Sequence, residues 1–182
     1  MLFLTQLIVL AVSLFLIFWL GCLIYAQALG APTVYSSDQA ITDALESAEL
    51  KKGELVVDLG CGNAKSLIIA AKKFGAKGVG VERSPYCFVK SKLNIWLAGE
   101  SKNITILLGD FKRAEPYIKK ADVVYLYLFN SVIINIEDWL FDNIKKSTMV
   151  VSLAFEFKKH KPKRTIETRN LGRTTKIRLY CK

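Results

Sequence analysis

Two glycines and three acids in this chain stand where an α/β fold does its chemistry. Asp58, Gly60 and Gly62 follow the apolar run at 55–57, Glu82 closes a second apolar run, and Asp110 closes a third. Glycines two apart let the backbone take angles that other residues avoid and let a ligand come close to the main chain. A carboxylate roughly twenty residues further on, Glu82, is suited to accept hydrogen bonds from the hydroxyls of an adenosine ribose. Asp110 followed by Phe111 offers an acceptor for an adenine amino group and an aromatic face beside the ring. These residue types are suited to holding an adenosine-bearing cofactor.

Two cofactor classes use such a loop. A dinucleotide fingerprint requires a third glycine where this chain has Lys65. An S-adenosylmethionine loop starts with an acid at the strand end and continues with glycines at alternate positions; Asp58, Gly60 and Gly62 match, and Ala64 replaces the last glycine. That donor carries an ammonium and a sulfonium and no pyrophosphate, so a carboxylate attracts it and would repel a dinucleotide. Cys61 lies inside the loop and contributes chiefly its backbone, because no base stands near it in sequence to make it a nucleophile. Cys22, Cys61, Cys87 and Cys181 form no CxxC pair and have no neighbouring histidine, so neither a metal site nor a disulfide framework is expected. A reducing, cytoplasmic environment fits that usage.

The elements that must position these residues alternate. Ser36 followed by Gln39 reads as a capping box, opening a helix whose stripe is Ala40, Ile41, Ala44, Leu45 and Ala48. "ELVVDLG" reads as a short buried strand, followed by a helix over 64–74, the strand "GVGVE", and a helix with Ser84 as N-cap, Pro85 in its first turn and Gly99 past its end. "ITILLGD", "ADVVYLYLF" and "TMVVSLAF" supply three more strands, with a helix over 132–145 between the last two. The segment 112–120 has no clear periodicity, so the third crossover helix is expected to be degenerate. "RTIETRN" and "TTKIRLYC" read as an antiparallel hairpin. The predicted fold is α/β: a Rossmann-like, doubly wound, mostly parallel seven-stranded sheet ending in an antiparallel hairpin.

An appendage precedes this domain. "LFLTQLIVLAVSLFLIFWLGCLIYA" holds no charged residue, and the first charge in the chain is Asp38. The run exceeds the ~20 apolar residues that span a bilayer core, and Trp19 and Tyr25 lie toward its end, where amphipathic aromatics favour the interface. "AQA" at 26–28 and "LGC" at 20–22 resemble processing sites, yet the positive n-region and short apolar stretch of a signal peptide are missing. The expected division is a single-pass anchor over 1–29 and a cofactor domain over 30–182, joined through the linker "GAPTVYSS". All 26 basic and 16 acidic residues fall in the domain, giving it the full formal charge of +10. Such a balance favours anionic surfaces, and the basic run 158–164, with His160 as a solvated member, suits anionic lipid near a tethered domain.

The motifs "VVDLGCGNA", "GVGVE" and "LLGDF" resemble those of the class I, seven-strand S-adenosylmethionine-dependent methyltransferases, over about residues 34–180. More narrowly, the apolar N-terminal segment, "PTVYSS", "VDLGCGNAKSLIIAAKKFGAKGVGVE" and "ADVVYLYLFNSVI" resemble the small membrane-anchored methyltransferases related to the ATP synthase c-subunit lysine methyltransferase. The resemblance implies S-adenosyl-L-methionine as cofactor, bound by Asp58, Gly60, Cys61, Gly62, Glu82, Asp110 and Phe111, and no metal. It places the acceptor at the edge after the fourth strand, 127–131, with Tyr127 and Asn130 as the candidate catalytic residues. It also implies a lysine acceptor on a protein at the membrane; because the cofactor is made in the cytosol, the catalytic domain is expected on the cytoplasmic side of the cell membrane. Alternative readings are an RNA acceptor, suggested by the basic tail, a lipid or quinone-like acceptor, suggested by the anchor, and a cofactor-binding module without catalysis. Nucleic-acid amino methyltransferases carry Asn-Pro-Pro-aromatic where this chain has "LFNS", which disfavours nucleic acid.

Overall fold

A largely apolar run without charged residues forms the first element, helix α1 (Leu2–Ala28), in the computed structural model, which describes residues 2–28 and 35–182. Its segment Leu2–Cys22, of mean hydropathy 2.5, is long and apolar enough to cross a membrane and is not covered by the rest of the chain. The expected boundary at 29/30 and most of the expected linker lie outside the described residues.

Helix α2 (Asp38–Ser47) starts one residue later than the capping pattern suggested. Ser37 is the N-cap, accepting the Ala40 N–H at 3.1 Å, while Gln39 donates to Asp43 Oδ1 at 2.6 Å instead of closing a capping box. Tertiary contacts select Ser37: its N–H donates to Asn170 Oδ1 at 2.8 Å and its hydroxyl to the Arg169 carbonyl at 3.0 Å. Ala40, Ile41, Ala44, Leu45 and Ala48 are all buried, as the stripe required.

The strands are β1 (Leu55–Leu59), β2 (Lys77–Glu82), β3 (Ile104–Leu108), β4 (Val123–Leu126), β5 (Met149–Leu153), β6 (Arg164–Asn170) and β7 (Arg173–Tyr180). They form one seven-stranded sheet in the order β3-β2-β1-β4-β5-β7-β6, parallel through β5 and antiparallel at β7 and β6. Leu171 and Gly172, both at positive φ, make the tight hairpin turn. Helices α3 (Lys65–Phe74), α4 (Pro85–Leu97) and α6 (Asn130–Asn143) cover the sheet. The segment after β3 is a 3-10 turn (Phe111–Ala114) running into the single-turn helix α5 (Glu115–Ile118), the degenerate crossover expected from its lack of periodicity.

Two cores result, one on each face of the sheet. Neighbouring residues of a strand supply opposite faces: Val56 and Tyr125 pack with α2 and α3, while Val57, Val124 and Leu126 pack with α5 and α6. The chain order reverses between β1 and β4, and that switch point is where an open α/β sheet leaves a crevice at its carboxyl edge.

His160 differs from the solvated residue expected. Its ring stacks on Phe141 at 3.6 Å and 7°, and its Nδ1 lies 2.9 Å from Glu137 Oε1. Glu137 is a buried carboxylate on α6 that also accepts the N–H groups of Lys158, Lys159 and His160. The start of the basic loop is thereby pinned to the core.

Candidate active site

The carboxyl ends of β1, β2, β3 and β4 open onto one cleft of about 590 Å³, inside the ~300–1,000 Å³ range of small-ligand sites. The sequence placed Asp58, Gly60, Cys61, Gly62, Glu82, Asp110 and Phe111 at three strand tips, and all seven line it. Tyr127 lines it as well. Asn130 does not: it opens α6 and borders a separate depression with residues 154–158 and Arg178.

The loop after β1 is shaped by close approach. Gly60 has φ +83°, and a methyl group on it would meet Leu128 Cδ2 at 2.7 Å. Gly62 has φ +55° with open space around it, and its N–H donates to Glu82 Oε2 at 2.8 Å. Ala64, the departure from the glycine pattern, takes the same left-handed conformation at φ +62°, a strain of about 1 kcal/mol. Cys61 packs its sulfur over Gly80, where a methyl group would come within 2.6 Å of it. Burial, then the Asp58 and Glu82 carboxylates, push the Cys61 thiol well up, so it is not a thiolate nucleophile.

Asp58 is buried and stands in register between Gly80 of β2 and Tyr125 of β4. Burial pushes its carboxyl up to about 7, against the hydrogen bond donated by Ser66 and with a further upward push from Glu82. Glu82 uses its second oxygen, Oε1, to accept the Ser84 N–H at 2.8 Å. Asp110 caps the 3-10 turn, accepting the Lys112 N–H at 3.2 Å. These bonds fix the acids at the rim, and each carboxylate oxygen retains a further lone pair for a ligand.

Among the described residues, two buried side-chain polar atoms lack a hydrogen-bond partner, Tyr125 Oη and Trp139 Nε1, and both residues line this cleft. The Tyr125 hydroxyl is near Ser36, and the Trp139 indole near Glu115, without an aligned bond in either case. Buried polar groups are normally satisfied, so the orphaned pair marks room for a polar ligand. A buried carboxyl held half-neutral, beside an acid and a bare backbone turn, suits a ligand that brings positive charge. The residues present fit S-adenosylmethionine.

The other half of the cleft is aromatic. Tyr127, Phe129, Trp139 and Tyr35 line it, and Phe155 packs against Tyr127 and Phe129 with centroids 6.1 and 5.4 Å away. The Tyr127 hydroxyl accepts from Asn170 Nδ2 at 3.1 Å, and the same Asn170 holds Ser37, so the segment 35–37 is strapped over the cleft. Lys65 reinforces the strap, donating to the Ser36 carbonyl at 2.9 Å and pairing with Asp38 at 2.5 Å. Sequence reasoning missed Trp139 and Asn135. The signal lay in α6, where Val132, Asn135, Ile136 and Trp139 form an i, i+3, i+4, i+7 stripe along the cleft with a polar residue inside it.

Known proteins share this arrangement. Residues 58–164 match the family described as the ANTKMT methyltransferase domain. A protein of Saccharolobus islandicus (strain REY15A) named "Protein-lysine N-methyltransferase" is 31% identical over 150 residues, covering 82% of this chain and 92% of that one. The structure of an RNA methyltransferase from Salinibacter ruber, crystallised with S-adenosyl-L-homocysteine, superposes with a TM-score of 0.73 at 32% identity, covering 80% of this chain and 93% of that one. The B. subtilis tRNA methyltransferase TrmK shares the fold at a TM-score of 0.65 and 14% identity, with 81% of this chain and 66% of that one covered. The chain belongs to the ANTKMT methyltransferase-domain family and is a class I S-adenosylmethionine-dependent methyltransferase.

Proposed function

We propose that this enzyme is a membrane-anchored protein-lysine N-methyltransferase whose acceptor is a protein at the membrane. The observation that carries the acceptor class is the likeness to the S. islandicus protein-lysine methyltransferase over 92% of that protein's length. The aromatic half of the cleft agrees with it, since aromatic faces pack along the lysine methylenes and withdraw its amine from water.

S-adenosylmethionine supplies, when bound, an electrophilic methyl group on a sulfonium centre. The chain's own residues bind and orient. Asp58, ionised, would present a carboxylate to the donor's positive charge. Glu82 accepts from the ribose hydroxyls, while Asp110 and Phe111 take the adenine edge and face. The backbone at Gly60, Cys61 and Gly62 closes around the ligand. Tyr127, fixed by Asn170, and its aromatic neighbours align the acceptor and exclude water, which lowers the lysine ammonium from its usual ~10.4 so that its lone pair is free. Alignment and desolvation are what an in-line methyl displacement needs from a protein. Asn130 borders the neighbouring depression, between Phe129 and Ser131 that line the cleft.

The apolar Leu2–Cys22 segment is the anchor in this reading, with the catalytic domain on the cytoplasmic side, where the cofactor is made. A second reading, an RNA acceptor, is favoured by the Salinibacter ruber neighbour and by the +10 charge. Incubating membranes that hold the full chain with methyl-labelled cofactor separates the two. Label removed by protease and retained after ribonuclease supports the lysine reading, and the reverse pattern supports RNA.

A further inference from the structure

Helix α4 turns Cys87, Ser91 and Ile95 into the core and leaves a second apolar stripe in the open. Val89, Leu93, Trp96 and Leu97 are 65, 53, 68 and 68% exposed. At ~100° per residue these four fall on one side of the helix, opposite the buried three. Tyr86 belongs to the same stripe, and its ring meets Trp19 of α1 edge-on at 4.6 Å. Trp19 lies near the carboxyl end of the apolar Leu2–Cys22 segment, so the exposed stripe continues from the border of that segment. Lys90 and Lys92 flank the stripe on its two sides, each ammonium 5.8 Å from an aromatic centroid, of Tyr86 and Phe88 respectively. The helix holds no acidic residue.

We propose that α4 is an interfacial membrane helix, its Val89–Leu93–Trp96–Leu97 face embedded at the headgroup–acyl boundary of an anionic leaflet. Three features select lipid as the occupant: direct continuity with the long apolar segment of α1, an exposed tryptophan within the stripe, and lysines with no acids bordering an apolar face. The inference rests on the reading of α1 as an anchor. It also orients the enzyme. Arg83 and Ser84, which immediately precede α4, line the cleft, so embedding this helix brings the cleft rim to headgroup level and two attachments hold the domain at a fixed tilt.

The test uses the unmodified full chain in nanodiscs of phosphatidylcholine and phosphatidylglycerol doped with a phospholipid bearing a diazirine near the glycerol end of one acyl chain. After irradiation, tryptic segments 84–90 and 93–102 should carry label, enriched about tenfold over segment 165–169 of β6, at the opposite edge of the sheet. Replacing Leu93→Asp and Leu97→Asp together should abolish labelling of 93–102 while α1 stays labelled. Label on α1 with none on α4 overturns the inference and leaves the anchor intact, as does α4 cross-linked to a second copy of the chain. An unlabelled α1 overturns the anchor reading and this inference with it.

Discussion

Glu82, at the tip of β2, accepts the Gly62 N–H at 2.8 Å, so the loop after β1 and the end of β2 form one rim. The two loop glycines are not equivalent within it. Gly60→Ala would drive a methyl group into Leu128 at a positive φ, costing about 3 kcal/mol from overpacking and strain together. Gly62→Ala keeps the N–H to Glu82 and has open space, so only strain of about 1 kcal/mol remains. Chemical denaturation of the two variants should rank them in that order.

Asp58 should link cofactor affinity to pH. Its folded carboxyl is pushed up to about 7 from its ordinary value of 3.8. A carboxyl raised on folding adds stability that is complete below its free-chain value and is lost as pH rises through the folded one, here about 4 kcal/mol between roughly pH 4 and 7. A cationic ligand favours the ionised form, so affinity for S-adenosylmethionine should rise from pH 6 to pH 8 with release of a proton. Asp58→Asn should flatten both dependences and leave the ligand-free protein the more stable of the two at pH 8. Calorimetry in buffers of different ionisation enthalpy measures the proton directly.

Tyr127 and Asn130 separate acceptor alignment from mere proximity. Tyr127 lines the cleft and Asn130 a different depression. Tyr127→Ala should lower kcat about 100-fold with cofactor affinity nearly unchanged, while Asn130→Ala stays within about threefold of wild type. Steady-state kinetics on the methylated product distinguishes them.

Glu137 should govern acid stability. Burial raises its carboxyl, but the bonds from His160 and from the N–H groups of Lys159, Lys158 and His160 outweigh that and leave it below the usual range. A depressed carboxyl contributes stability that is present above its free-chain value of about 4.3 and is lost as pH falls through the folded one. Glu137→Ala strands three backbone donors and should cost about 3 kcal/mol at pH 7, read from the shift in urea midpoint, with a smaller acid-induced loss remaining.

The half of the cleft lined by acids and turn glycines was legible because strand ends and turns are local features: Asp58, Glu82 and Asp110 each terminate an apolar run. The aromatic half was not, because tertiary contacts decide it. Tyr125 sits in an unbroken apolar strand and reads as packing until its hydroxyl is found without a partner. Ser37, not Ser36, caps α2 because Asn170, more than a hundred residues away in sequence, holds its N–H. His160 looks solvated inside a lysine run, and only the fold brings Glu137 and Phe141 to it.

The most direct measurement is calorimetric titration of S-adenosylhomocysteine into the detergent-solubilised full chain, beside Glu82→Ala, Asp110→Ala and the remote control Glu100→Ala. The account predicts one site in the wild type, weakened about 30-fold or more by Glu82→Ala, less by Asp110→Ala and not at all by Glu100→Ala. Equal affinity in all four proteins would contradict it.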